Sequence, residues 1–372
     1  MPKIESIVST AIAESFRTAQ VRGMFDLPEE KTSHERFAVE VPGAGEDWQI
    51  GLIVGPSGSG KSTVARQAFS GPECLWATFQ WPAAAAVVDG FPQEVDMREI
   101  TLALAAVGFS SPPAWLRPIH ILSNGEKFRC ELARLLCQAK AGQVAVMDEF
   151  TSVVDRQVAK VGSAAVAKAV RGRPGKKFVA ISCHYDIREW LEPDWVVDMA
   201  TCTLARGRLC RPRIELAIHR CGKELWPMFK RHHYLSGNLP MGCRFYAGVI
   251  GGERVAFAAV APQMGYAGYR RFSRVVVLPD YQGIGVGGRF RDAVAQIEQG
   301  TPGVRRLSLV TSHPAMIRSL ANSARWRCSH AGMATDGVAH TARQSRMTVS
   351  FVYNHRGALV ARRSSDGRND KA

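Results

Sequence analysis

The stretch GPSGSGKST, residues 55 to 63, carries Gly55, Gly60, Lys61 and Ser62 at the spacing G-x-x-x-x-G-K-[ST]. Glycines at this spacing let the loop from Gly55 through Pro56, Ser57, Gly58 and Ser59 to Gly60 turn its backbone N–H groups, which Pro56 alone lacks, inward around a chain of phosphates. Lys61 has the reach to meet the β and γ phosphates. Ser62 offers a hydroxyl to Mg²⁺, and the helix opening near Thr63 aims its N-terminus at the anion. The apolar run WQIGLIV leads straight into this loop, as a strand must. Downstream, VAVMDEF ends another apolar run on Asp148 and Glu149. Asp148 is placed to orient the Mg²⁺ shell and Glu149 to polarise an attacking water. The chemistry these residues suit is binding and hydrolysis of ATP with Mg²⁺.

A second glycine-rich loop lies in DYQGIGVGGRF, residues 280 to 290. Gly283, Gly285 and Gly288 satisfy G-x-G-x-x-G, the dinucleotide pattern. That pattern also wants an acidic residue about 20 positions on, at the end of the next strand, and the next apolar run, RRLSLVTS, has none. Gln282-x-x-Gly285-x-Gly287 is the better reading. The amides of Gly283, Ile284, Gly285, Val286, Gly287 and Gly288 then stand at a helix start, where a pyrophosphate can sit. Val276, Val277 and Leu278 form the strand that feeds the loop.

The first set of motifs resembles an ATP-binding-cassette ATPase over roughly residues 35 to 210. ILSNGEKFRCELARLL resembles the cassette signature, with Ser123 and Gly125 at the positions that would touch a γ-phosphate across a dimer. Asn124 stands where glycine is usual, and Glu126 where glutamine is usual. TSVVD, ending at Asp155, resembles the loop after the acidic pair. His184 in ISCHYD resembles the switch histidine, and Gln80 in TFQWP the lid-loop glutamine that helps hold the metal. The resemblance implies nucleotide sandwiched between two copies of the chain, a homodimer. The short segment between Lys61 and Ser123 resembles soluble cassettes that act on DNA or with ribosomes more than transporter subunits.

The second set resembles the GNAT superfamily of acetyl-CoA-dependent N-acyltransferases, over roughly residues 212 to 353. The strand-like runs RFYAGVI, RVAFAAVA and SRVVVLP, then glycine loop, helix, LSLVTS and helix, follow that superfamily's order. The loop then implies coenzyme A pyrophosphate, with acetyl-CoA or another acyl-CoA as donor and Val276 to Leu278 beside the pantetheine arm. Acyl transfer needs a base for the amine and a proton for the leaving thiolate. The glutamate and tyrosine that many relatives use are missing from FSRVVVLP and PAMIRSLANSARW. Candidates in their place are His232, His233 and Tyr234 in MFKRHHYLSGNLP, Ser312 and His313 in VTSHP, and Ser273 among the arginines of YRRFSR. FKRHHYLS and VAFAAV also resemble the Mom-type phage branch of this fold, which modifies adenine in DNA.

These sites require two α/β domains. Wholly apolar runs such as WQIGLIV and GQVAVM read as buried parallel strands, and the closely spaced runs after residue 211 read as a mixed α/β sheet. The expected division is a P-loop cassette domain with an N-terminal extension over 1–210, a GNAT-like acyltransferase domain over 211–355 and a loose basic tail over 356–372. The first residues are expected to be helical, followed by a turn near LPEEKTSHE. A chain of 372 residues, 46% apolar, can bury two cores. No apolar run reaches the roughly 20 residues of a membrane span, and the N-terminus does not read as a secretion signal. Nine cysteines without a C-x-x-C pair suit free thiols in a reducing, cytoplasmic compartment.

The net charge of +15 points to a polyanionic partner, with nucleic acid ahead of a membrane surface and DNA ahead of RNA. Arg270, Arg271, Arg274, Arg289, Arg291, Arg305 and Arg306 are expected to ring the acceptor site. Three functions remain open: nucleic-acid modification, acylation of a protein or small molecule under ATP-driven dimerisation, and a non-catalytic ATP-driven nucleic-acid clamp.

Overall fold

The computed structural model describes residues 3–28, 32–233, 237–334 and 346–354. Tyr234 and the 356–372 tail lie outside them. The protein is mixed α/β and forms two compact units. The first comprises residues 1–79, 138–155 and 169–211, and the second 80–137, 156–168 and 212–372. No helix among the described residues is long and apolar enough to cross a membrane.

The first unit opens with a strand, not the expected helix. β1 (Lys3–Ala11) pairs antiparallel with β2 (Thr32–Glu40), and α1 (Phe16–Phe25) lies between them in sequence. The run IESIVST is rich in β-branched residues, which suits a strand. The helix starts where Ser15 caps it by accepting from the Thr18 amide.

The main sheet of this unit uses β3 (Ile50–Val54), β4 (Cys74–Trp76), β5 (Val144–Met147), β6 (Lys177–Ser182), β7 (Trp195–Asp198) and β8 (Thr203–Arg206), in the order β4-β5-β6-β3-β7-β8. All neighbours are parallel except β7 and β8. β3 and β5 are buried along their whole length, which is why they read as unbroken apolar runs. α2 (Lys61–Ala68) follows β3, and the short α7 (Arg188–Leu191) precedes β7. Trp48, Phe69 and Trp195 meet in the core. Gly51 is required there, because a Cβ at that position would lie 2.0 Å from the Trp195 ring.

The second unit holds α3 (Met97–Ala106), α4 (Pro112–Trp115) and most of α5 (Asn124–Gln138) and α6 (Arg156–Arg171). To these it adds β9 (Ala217–Cys221), α8 (Trp226–Lys230), β10 (Arg244–Ile250), β11 (Glu253–Pro262), β12 (Tyr269–Val277), α9 (Val286–Gln299), β13 (Arg306–Thr311), α10 (Pro314–Ala321), β14 (Trp326–Ala334) and β15 (Arg346–Tyr353). Its sheet runs β14-β15-β13-β12-β11-β10-β9, antiparallel except for β12 with β13. β11 alternates between two cores, as a strand with period two must. Ala256, Ala258 and Val260 join Phe290 and Val294 of α9, while Phe257 and Ala259 join Trp226 and Phe229 of α8.

The start of the strand that feeds the first loop is anchored by one carboxylate. Asp194 Oδ2 accepts from the amides of Gln49 and Ile50 at 2.8 and 2.9 Å, and Arg171 grips both Asp194 oxygens at 2.7 and 3.0 Å. Burial pushes the Asp194 carboxyl up, but the bonds from Arg171, Ile50 and Gln49 outweigh it and hold it below the usual Asp value. A lowered folded-state value means stability that is complete above about pH 4 and lost as the pH falls through that value. Asp194→Asn should cost about 2–3 kcal/mol at pH 7, the scale of hydrogen bonds to a charged group. In urea titrations from pH 7 to pH 3, the wild type should lose more stability than the variant; parallel losses would refute this anchor.

Candidate functional sites

β5, β6 and β3 lie side by side and parallel, so their C-terminal ends converge. Met147 pairs with Ala180, and Val54 with Ser182. Asp148, His184 and Gly55 follow from those three ends. The loop from Gly55 to Gly60 turns through left-handed conformations at Gly58 (φ 80°) and Gly60 (φ 77°), and Gly60 is the N-cap of α2. Pro56, Ser57, Gly58 and Thr63 are exposed, while Ser59, Gly60, Lys61 and Ser62 are half-buried, so the loop opens to solvent. Lys61 Nζ donates across it to the Pro56 carbonyl at 2.6 Å.

Ser62 Oγ donates to Asp148 Oδ1 at 3.0 Å, and the Glu149 amide donates to the same oxygen at 2.9 Å. One carboxylate oxygen thus joins the loop hydroxyl to the acidic turn. Glu149 (φ 50°) and Thr151 (φ 68°) both sit in the left-handed region, which non-glycine residues rarely enter. The Phe150 amide pins this strained turn to Ile181 O at 2.8 Å. The His184 amide donates to Ser182 Oγ at 3.1 Å, setting the turn after β6. Asp155 is exposed at the end of this unit's second segment.

Ser123, Gly125 and Gln80 belong to the second unit. The Ser123 amide and hydroxyl both donate to Glu126 Oε2 at 2.9 Å, and the Glu126 amide returns a bond to Ser123 Oγ at 3.3 Å. This is a capping box at the start of α5, and it accounts for glutamate at position 126: an ionised carboxylate accepts both bonds and suits a helix N-terminus. The S-x-x-E spacing was readable in the sequence. Gln80 has its carbonyl held by Arg134 at 3.0 Å, and Trp81 beside it donates to Glu131 at 2.5 Å.

The seven-stranded sheet of the second unit is organised by a splayed strand pair. β12 and β13 pair only from Tyr269–Arg306 to Phe272–Leu309, yet β12 continues to Val277 and β13 to Thr311. Beyond Phe272, β12 remains paired to β11 on its other side, with Val276 opposite Phe257 and Val277 opposite Ala256. Its backbone edge toward β13 is released. The β11–β12 register shifts at Ser273, between Phe272–Val260 and Arg274–Ala259, so Ser273 is the extra residue of a bulge. Arg274 donates to Ser273 Oγ at 3.1 Å and to its carbonyl at 2.7 Å. Neither the splay nor the bulge has a signature in the sequence, because both depend on strands distant in the chain.

The strand delivers the chain to the glycine loop through Leu278, whose amide donates to Val255 O at 2.9 Å. Gly283 (φ 86°) and Gly285 (φ 94°) are left-handed, and Gly285 is the N-cap of α9. The amides of Val286, Gly287 and Gly288 fall in the first turn, where a helix offers no acceptor of its own. Ile284 packs on the core, and Gln282 Nε2 donates to Val277 O at 2.8 Å, tying the loop to the strand end.

The remaining candidates, His232, His233, Ser312 and His313, follow two separate elements. His232 and His233 follow α8. Burial and the neighbouring Arg231 hold His232 below the usual histidine value, against the pull of Asp280 and Glu126. Arg231 Nε donates to His232 Nε2 at 3.0 Å, and His233 instead sets its ring edge against Trp226. Ser312 and His313 follow β13, where His313 is the N-cap residue of α10 and lies beside the Trp115 ring. Burial holds His313 below the usual value, against a hydrogen bond with the Ser110 backbone.

The expected ring of arginines is corrected in part. Arg270 and Arg244 both pair with Glu298, which is fully buried and also accepts from Tyr246 at 2.7 Å. Arg291 is 3% exposed, pairs with Asp292 and stacks on Trp326. A buried carboxylate demands such partners, so these cations serve the core. Arg271, Arg289, Arg305 and Arg306 are exposed.

No family model matches the chain, and no curated protein matches it. Among solved structures, a dimeric ATP-binding cassette bound to ADP and Pi in a post-hydrolysis state is similar at 13% identity and a TM-score of 0.37, over 50% of this chain and 95% of its own. The ribosomal-protein-S18-alanine N-acetyltransferase from Escherichia coli is similar at 16% identity and a TM-score of 0.30, over 37% of this chain and 93% of its own. A Bacillus subtilis acetyltransferase in complex with CoA is similar at 11% identity and a TM-score of 0.28, over 38% and 99%.

Proposed function

We propose that the protein is an ATP-hydrolysing cassette joined to an acyl-CoA-dependent transferase. The observation that carries the reading is the pair of glycine loops, each a left-handed turn that feeds a helix N-terminus. In the first, the Ser62–Asp148 pair offers hard oxygens that would hold Mg²⁺; such an ion, when bound, neutralises charge on the phosphates. Lys61 would turn from the Pro56 carbonyl to the γ-phosphate, and Glu149 would orient the water. Ser123 and Gly125 would complete the nucleotide site of a second copy, giving an ATP-dependent homodimer.

In the second cradle, the loop Gln282–Gly288 would hold the donor's diphosphate, and the released edge of β12 would take the pantetheine amides. There an amine would attack the thioester carbonyl, forming a C–N bond as the C–S bond breaks. The amine's proton goes to a base, and a proton reaches the thiolate. His232 and His313, both held below the usual histidine value by burial, are the candidates for the base. For the acceptor, the net charge of +15 and the exposed Arg271, Arg289, Arg305 and Arg306 favour nucleic acid, DNA ahead of RNA. A second reading, acylation of a protein or small molecule, draws support from Arg270 and Arg291, whose charge is spent inside the fold.

Lys61→Ala should lower ATP turnover by about 10²–10³-fold, the scale for losing one preorganised charge donor; turnover within twofold of wild type would remove Lys61 from the site. Glu149→Gln should trap a dimer in Mg-ATP by light scattering, and a strict monomer would sink the sandwich. Labelled acyl-CoA offered to DNA, RNA and protein together should mark nucleic acid; label on protein alone would establish the second reading.

A further inference from the structure

The glycine loop of the transferase-like half is not supported by its own sheet alone. Within the second unit it rests on the helical segment that carries the cassette signature. A Cβ at Gly108, in the turn after α3, would lie 2.7 Å from the Gln282 carbonyl oxygen. A Cβ at Gly283 would lie 2.7 Å from Ala165 Cβ on α6 and 3.0 Å from the Gly108 amide nitrogen. Both glycines have left-handed φ, so two backbone turns touch with no side chain between them. The Ser110 amide donates to Gln282 Oε1 at 3.0 Å, and Gln282 Nε2 carries the connection on to Val277 at the end of β12. Lys168 Nζ meets the Gly283 carbonyl at 3.4 Å. Arg129, buried on α5, pairs at 3.7 Å with Asp280 just ahead of the loop. α3 packs on α10, and Trp115 on His313.

We propose that Ser110, Arg129 and Ala165 are positioning residues for the donor loop, and that through them nucleotide bound at the signature sets the affinity of the loop for its diphosphate ligand. This rests on the readings of Gln282–Gly288 as a donor cradle and of Ser123 and Gly125 as nucleotide contacts. Ser123 caps α5, and Arg129 lies six residues on, less than two helical turns away. A shift of Ser123 toward a γ-phosphate moves a rigid helix, and a close-packed contact passes the movement on because it has no slack to absorb it. The loop's amides bind an anion only while they are aligned, so a small displacement of Gly283 changes affinity. By linkage, the donor must change nucleotide affinity by the same factor.

The test is calorimetry of CoA binding to the full chain carrying Glu149→Gln, with and without Mg-ATP. The CoA Kd should differ by about fivefold or more between the two states, the lower end of typical allosteric couplings. Adding Arg129→Met should reduce that difference to under about twofold, while Mg-ATP still binds and CoA affinity without nucleotide stays within about threefold; Arg129→Lys should restore part of the difference. If Arg129→Met does not fold, Asp280→Asn removes the same pair from its exposed side. A CoA Kd indifferent to Mg-ATP overturns the coupling, and so does an Arg129→Met variant with the full difference. Absence of CoA binding in both states overturns the donor reading instead. The coupling is then read from hydrogen exchange of residues 278–288, where protection unchanged by Mg-ATP overturns it and altered protection upholds it. Failure of Mg-ATP itself to bind overturns both the nucleotide reading and the coupling.

Discussion

Backbone amides hold an anion only when several of them point the same way, and a chain of L-residues achieves this where a left-handed turn feeds a helix. That constraint shapes both halves of this protein. Val54, Gly60 and Lys61 make the sequence strand end, left-handed cap, helix start in one unit, and Val277, Gly285 and Val286 repeat it in the other. Each cradle is only as well aimed as the strand before it. In the first unit, Asp194 fixes the start of that strand by gathering the Gln49 and Ile50 amides under Arg171. In the second, the side chain of Gln282 ties the loop to Val277, so a residue that looked like a ligand contact acts as a brace.

What surrounds each cradle differs in kind. The first has charge and hydroxyl within reach, because Asp148, just after β5, and Ser62, in the first turn of α2, meet at 3.0 Å. The second has an open backbone edge, because β12 and β13 part after Phe272 and a bulge at Ser273 turns the strand. A free strand edge is normally a liability; in the proposed function it would take a ligand with amides along its length. The buried Glu298, with Arg244, Arg270 and Tyr246, helps hold the sheet where that opening occurs. Basic residues that suggest a polyanion in sequence are therefore divided between the interior and the surface.

The second unit also joins two pieces of chain that motif boundaries keep apart. Residues 80–137 and 156–168 carry the signature helix and its neighbours, yet they share a compact unit with residues 212 onward. Gly108 and Gly283 allow their turns to meet backbone to backbone, and each is left-handed. Such a joint explains why a glycine outside any recognised motif, in the turn after α3, is needed at all. It also gives the glycine loop two sources of support, its own strand through Gln282 Nε2 and the helical segment through Gln282 Oε1.

The loops and the acidic pair were legible in the sequence because each is written in adjacent residues: fixed glycine spacings and a carboxylate after an apolar run. The sequence by itself thus determined the two glycine loops and the acidic pair on which the proposed function rests. Even the departure at Glu126 was readable, since a capping box spans only four residues. The opening strand was misread as helix because its partner, β2, lies more than 20 residues away and propensity alone was a weak guide. Only the tertiary structure decided where β12 leaves β13, which arginines are spent on Glu298 and Asp292, and that Ser110, Arg129 and Ala165 stand behind Gln282, Asp280 and Gly283. The physical reason is separation along the chain: Ser110 and Gln282 are 172 residues apart, and no local pattern records a contact that packing creates.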